Sequence, residues 1–281
     1  MYRKQTAGGY PGPGAGKDNL QNVEISPAFA ELEQGVYAAL ETYSNVHRGS
    51  GHKSMVSEHL LDKARDIVLE HFGFRKGKYV VIFCTARRAE ILKTLVKPGS
   101  FQIISSRETG LPLGVTAFAV RKKALPQGKP FQTGGGTTRL VSADRVIWGG
   151  IPEKFEGGTP SLINIIAFAK AIQLIKKFGS NAFRVDPACK TSATEILYSD
   201  ELQNLSGRDL INELRNRIIG RDILVPTIYG DEHYINLDNA ASTPTFTTVW
   251  DAVRKTWRLP IQVRNEIVQE VSRRASPGGE D

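Results

Sequence analysis

Gly157, Gly158 and Thr159 stand directly before Pro160, in the order glycine, glycine, hydroxyl, helix start. Backbone without a Cβ allows close approach and positive φ. A threonine beside the free amides of a helix N-terminus can hold an anion. Gly134, Gly135 and Gly136 form a second cluster upstream. The same glycines serve equally well as tight turns, which glycine-rich runs commonly are. Three further groupings carry residue types that can do chemistry. Thr85, Arg87 and Arg88 follow a β-prone run, and guanidinium groups can bind a phosphate bidentately. His47 and Arg48 lie in Asn45-Val46-His47-Arg48-Gly49, where the alternative is a loop histidine and a solvated arginine. Cys84 reads as a small core residue, because no neighbour marks its thiol as activated.

The elements that must position these residues are legible as local signals. Leu162, Ile163, Ile165, Ile166, Phe168, Ile172, Leu174 and Ile175 leave almost no polar face, so the spacing predicts a buried helix. Thr159 is its expected N-cap, Pro160 its first helical residue and Gly179 its stop. Ser26-Pro27 opens another helix, with Phe29, Leu32, Val36, Leu40 and Tyr43 as its stripe. A helix with Val56, Leu60, Ala64, Ile67 and Val68 closes at Gly73. Residues 79–83 read as a strand covered on both faces, and residues 101–105 as a second strand. Ser206 is the expected cap of a helix running to Gly220, and Pro226 marks residues 223–228 as an edge strand.

Composition sets outer bounds. A chain of 281 residues with 40% hydrophobic content can bury a real core. Two cysteines, Cys84 and Cys189, do not make a disulfide framework, so a reducing cytoplasm is expected. No stretch reads as a membrane span or signal peptide. The net charge of +8 is scattered and comes with no nucleic-acid-binding motif, so nucleic acid is not an expected partner. An anionic small ligand or an acidic partner suits that charge as well. No metal-ligand set is recognisable. Near the start, Gly12-Pro13-Gly14-Ala15-Gly16-Lys17-Asp18 imitates a phosphate-binding loop. It fails, because Pro11 replaces the first glycine and Asp18 the hydroxyl residue.

Several of these motifs, in order, resemble class V aminotransferases, the group that includes cysteine desulfurases and selenocysteine lyases. The resemblance rests on residues 133–142 (TGGGTTRLVS), residues 152–160 (PEKFEGGTP) and residues 43–49 (YSNVHRG). It also rests on residues 105–114 (SSRETGLPLG) and residues 234–244 (YINLDNAASTP). It implies an α/β, contracted fold-type-I transferase domain, with a mixed sheet, flanking helices and a helical C-terminal segment. It implies pyridoxal 5'-phosphate as cofactor, with Thr85, Arg87, Arg88, Gly158 and Thr159 around its phosphate. It implies His47, Arg48, Ala240 and Ala241 beside an amino-acid substrate. It also implies a homo- or hetero-dimer with a family homologue.

The order of the motifs departs from the family. The long middle segment, with its stacking residue, its aspartate and its lysine, is missing between Ala89 and Phe101. In the segment 105–114, Arg107 stands at the family's histidine and Glu108 at the lysine that forms the Schiff base. A carboxylate cannot form an imine, so no catalytic residue is assigned and covalent attachment of the cofactor is not expected. Ser50-Gly51-His52-Lys53 imitates the lysine motif but leads into a helix rather than out of a strand. The expected organisation is a disordered tail over 1–22 and a contracted aminotransferase-like domain over 23–180. A linker helix and short strand follow over 181–232, then the start of a second, truncated unit over 233–281. A circular permutation, with the last segment folding back on the first unit, is the rival account. Two functions follow: a degenerate relative of enzymes performing transamination or C–S lysis, or a non-catalytic domain binding a homologous partner.

Overall fold

A computed structural model describes residues 26–46, 51–185, 192–197, 202–237 and 242–275. The tail at 1–22, the imitation phosphate loop, His47, Arg48, Cys189, Ala240 and Ala241 lie outside the described residues. The architecture is mixed α/β, with helices around small sheets. The pairings within each sheet are antiparallel, so the mixing lies between helices and sheets rather than between strand directions.

Helix α1 (Pro27–Glu41) starts as its sequence dictates: the Ser26 hydroxyl accepts from the Ala28 amide at 3.3 Å and Pro27 takes the first helical position. Helix α2 (His52–His71) buries Leu61, Ala64, Val68 and Leu69. Its inner stripe is therefore rotated from the expected one, since Val56, Leu60 and Ile67 are only partly covered. Strand β1 (Tyr79–Cys84) leads through Thr85 into α3 (Ala86–Leu95), followed by β2 (Phe101–Ser105) and β3 (Thr116–Arg121). Strand β3 lies in the middle of this sheet, with Phe83 opposite Ala117 and Ile103 opposite Phe118.

The strand β1 is covered on both faces, as its uninterrupted apolar run requires. Val81 and Phe83 face α1, α2 and the helix α4 (Leu162–Phe178). Val80 and Ile82 face Ala89, Leu92, Leu125 and Phe155. Helix α4 is the buried helix expected, with Ile165, Ala167, Phe168, Ala171 and Leu174 inside, and it stops at Gly179 with φ of +91°. Its start differs from expectation. The Leu162 amide donates to the Pro160 carbonyl at 2.8 Å, a tight turn that delays the helix. Ser161, not Thr159, is therefore the N-cap, and its side chain makes no capping bond. The hairpin β4 (Thr138–Val141) and β5 (Val146–Trp148) precedes it on the surface.

Phe183, in a polar run, enters the main core edge-on to Phe29 at 5.2 Å. After α5 (Ala193–Leu197), α6 (Gly207–Asn216) begins behind Ser206, whose hydroxyl makes no capping bond. The hairpin β6 (Leu224–Thr227) and β7 (Gly230–His233) carries Pro226 in a two-stranded ribbon, where every strand is an edge. The chain then returns. The Ile219 amide donates to the Thr245 carbonyl, and Thr247 to Arg217, at 2.9 and 2.8 Å. Helix α7 (Thr247–Trp257) lays Trp250 and Trp257 into the main core beside Tyr37, and α8 (Ile261–Ala275) follows. Glu33 of α1, buried there, accepts from Arg258 Nε at 2.8 Å and faces Arg254 at 3.6 Å. Among the described residues no helix is long and apolar enough to cross a membrane.

Candidate functional site

The strand-to-helix turn after β1 and the two glycine clusters meet at one corner. Thr85 caps α3, its hydroxyl accepting the Arg88 amide at 3.3 Å. The Arg88 side chain then crosses to the glycine loops. Its Nε and a terminal nitrogen donate to Gln132 Oε1 at 3.0 and 2.8 Å, and the same nitrogen reaches the Gly157 carbonyl at 3.0 Å. The loops lie backbone against backbone, with the Gly158 amide donating to the Gly135 carbonyl at 3.0 Å. A Cβ on Gly134 would stand 3.3 Å from the Gly158 nitrogen, and one on Gly157 would meet the Thr137 methyl at 3.1 Å. Thr137, fully buried, locks the first loop by donating to the Gly134 carbonyl at 2.6 Å. Close approach explains these glycines without a ligand.

The structure thus brings Thr85, Arg88 and Gly158 together. Arg87 stands exposed on α3, and Thr159 is exposed two residues before the α4 cap. The four expected substrate residues are not described. Residues flanking them are: Tyr43 on one side and Ser242 and Pro244 on the other line one cavity.

Beneath the corner is an ion pair that sequence reasoning missed. Glu156, 3% exposed, accepts from Arg65 at 2.6 Å and from the Phe83 amide at 2.8 Å. Burial pushes the Glu156 carboxyl up, against the opposing pull of Arg65 and of the Phe83 amide. Arg65 also donates to Asp62 at 2.7 Å, while its Nε is buried without a partner among the described residues. The signal for Arg65 was present: it falls beside Ala64 on the Leu61–Val68 face of α2. Cys84 sits over this pair. Burial and the Glu156 charge push its thiol up to about 12, with Arg88 pulling the other way. It is the inert thiol expected from the sequence.

Position 108 lies at the far end of β2, in a 3-10 turn over Ser106–Thr109. The Glu108 carboxylate accepts from the Ser105 amide at 2.7 Å, and the Ser105 hydroxyl accepts from the Arg107 amide at 3.3 Å. This is a capping box, and the Ser-x-x-Glu spacing that announces it is readable at residues 105–108. Arg107 and Glu108 are exposed. Buried Ser106 accepts from the Val115 amide at 3.3 Å and so holds the following turn.

Residues 100–219 match the family model described as Aminotransferase class-V. A probable cysteine desulfurase of Xylella fastidiosa (strain Temecula1 / ATCC 700964) is 29% identical over 42% of this chain and 27% of its own length. A probable cysteine desulfurase of Halobacterium salinarum is 32% identical over 31% of this chain and 20% of its own length. The apo structure of a cysteine desulfurase from Thermococcus onnurineus NA1 covers 55% of this chain and 65% of its own, at 16% identity and a TM-score of 0.44. These alignments span about a quarter of the length of the curated relatives. Residues 100–219, which hold the glycine loops and the Glu108 turn, thus match the class V aminotransferase family model, and the chain is similar over part of its length to cysteine desulfurases.

Proposed function

We propose that the chain is a degenerate class V aminotransferase domain, one that makes no imine between pyridoxal 5'-phosphate and its residue 108. The family's chemistry, transamination or C–S lysis of an amino acid, needs an amine there. The carrying observation is Glu108, a carboxylate already engaged as a cap on the Ser105 amide. The residues at that turn do not fit a covalently held coenzyme. The phosphate corner gives the same direction. Arg88, at an expected phosphate-binding place, already donates to the side-chain oxygen of Gln132 and to the Gly157 carbonyl. An anion bound by Thr85, Arg87, Arg88, Gly158 and Thr159 has to compete with those bonds.

On this reading the domain acts by association, as a homo- or hetero-dimer with a family homologue in the cytoplasm. The boundaries at residues 23–180 and 233–281 then divide stretches of family likeness rather than packed units, since Trp250 and Trp257 lie in the core of the first helices. The test is incubation of the purified protein with pyridoxal 5'-phosphate, followed by borohydride and peptide mapping. No pyridoxyl-lysine within residues 100–219 is the expected result. A yellow protein that bleaches on reduction, with the adduct mapped to that stretch, overturns the reading. Sedimentation with and without an active homologue tests the association, and a monomer in both cases removes it.

A further inference from the structure

Lys53 stands in the first turn of α2 with only 8% of its surface exposed. A lysine that far from water is uncommon, and its ammonium needs compensation. Among the described residues that compensation is thin. Nζ lies 4.2 Å from the centroid of the Tyr234 ring and 3.4 Å from the Gly220 carbonyl oxygen, the second at the long limit of a hydrogen bond. Burial pushes the Lys53 amine down, and the Glu41 carboxylate only partly restores it. Glu41 itself is pushed up by burial. Both groups are therefore drawn toward their neutral forms.

Lys53 lines a cavity of about 230 Å³. The cavity lies between the end of α1, the start of α2 and the segment that returns after β7. Tyr43, Tyr234, Asn236 and Ser242 line its walls, together with the exposed Arg221. Arg221 donates to Asn216 at 2.7 Å and lies 3.6 Å from the Asp222 carboxylate. A guanidinium carries five donors, so these contacts do not exhaust it. The volume falls below the roughly 300–1,000 Å³ of ordinary ligand pockets, which restricts the occupant to a small molecule. A desolvated lysine is a nucleophile toward a carbonyl carbon. A guanidinium in the lining selects a carboxylate.

We propose that this cavity captures a small 2-oxo acid, with Lys53 forming an imine to its carbonyl carbon and Arg221 pairing with its carboxylate. The neutral amine adds to the carbonyl, giving a carbinolamine. The carbonyl oxygen then leaves as water, taking both amine hydrogens, and the C=N bond remains. No oxidant, reductant or coenzyme enters. The capture is independent of position 108: a Lys53 adduct leaves that reading standing, and so does its absence.

The test is incubation of the full chain with glyoxylate near neutral pH, borohydride reduction, intact mass and peptide mapping. One adduct is expected, on Lys53, forming about tenfold faster than on any exposed lysine. Lys53→Arg keeps a cation beside Tyr234 and abolishes the adduct. Arg221→Gln slows labelling by glyoxylate but leaves labelling by acetaldehyde unchanged. Labelling spread over surface lysines, with Lys53 no faster than they are, overturns the proposal. So does glyoxylate labelling that is indifferent to Arg221→Gln. If Lys53→Arg fails to fold by circular dichroism, the wild-type peptide map decides alone.

Discussion

Glu108 is held by local structure. Its carboxylate satisfies a backbone amide at the head of a 3-10 turn, so its removal has a structural cost. Glu108→Ala is expected to lower stability by about 0.5–1 kcal/mol, while Glu108→Gln, which can still cap, changes little. Urea midpoints check both, and an unchanged midpoint for the alanine variant removes the capping role. The buried pair beneath the glycine corner carries more. Glu156→Ala leaves buried Arg65 with only the exposed Asp62 as charge partner, and about 3–5 kcal/mol of stability should go with it. Replacing both, as Arg65→Met with Glu156→Leu, should recover most of that loss. Cys84 offers a pH test. Its folded thiol sits at about 12, above the ordinary value of 9.0, so folding holds the proton more tightly. Its contribution to stability is fully present below 9.0 and is lost as pH rises toward about 12. At pH 8 the folded thiol should resist iodoacetamide and react once urea unfolds the chain, with the peptide map separating Cys84 from Cys189.

At the scale of elements, the turn between α6 and β6 meets the end of α1 backbone against backbone. Gly220 has φ of +74°, and a Cβ there would fall 2.2 Å from the Glu41 carbonyl oxygen at the end of α1. No relaxation of a side chain relieves that, since the obstacle is backbone. Gly220→Ala should therefore cost more than about 1 kcal/mol, through strain at positive φ and the clash together. It should also open the cavity around Lys53. Limited proteolysis reports the undocking as faster cleavage between Ile219 and Phe246. An unchanged digestion pattern would remove Gly220 from the docking.

At the scale of the molecule, the C-terminal residues share the core of the first helices. Trp250 and Trp257 are 3% and 4% exposed and belong to the same cluster as Phe29, Leu61 and Phe168. One core predicts one cooperative transition. Tryptophan fluorescence and far-ultraviolet circular dichroism should coincide in a urea titration. Trp250→Ala should shift both together, by about 3–5 kcal/mol. A tryptophan signal that melts ahead of the helices would show that residues 242–275 fold apart from the rest.

What the sequence determined alone is what neighbouring residues settle among themselves. Ser26 with Pro27, the apolar run of β1, the bounds of β2 and the stop at Gly179 were legible, because a cap or a run needs only its own few residues. The family likeness was legible for the same reason, since each motif is contiguous. The tertiary structure decided whatever depends on residues far along the chain. It moved the start of α4 from Thr159 to Ser161, and it turned the α2 stripe toward Leu61 and Leu69. It drew Phe183 out of a polar run into the core, paired Arg65 with Glu156, and closed a cavity over Lys53 with residues that follow Ile218. Those contacts are fixed by which surfaces must be buried together, and no local pattern carries that information.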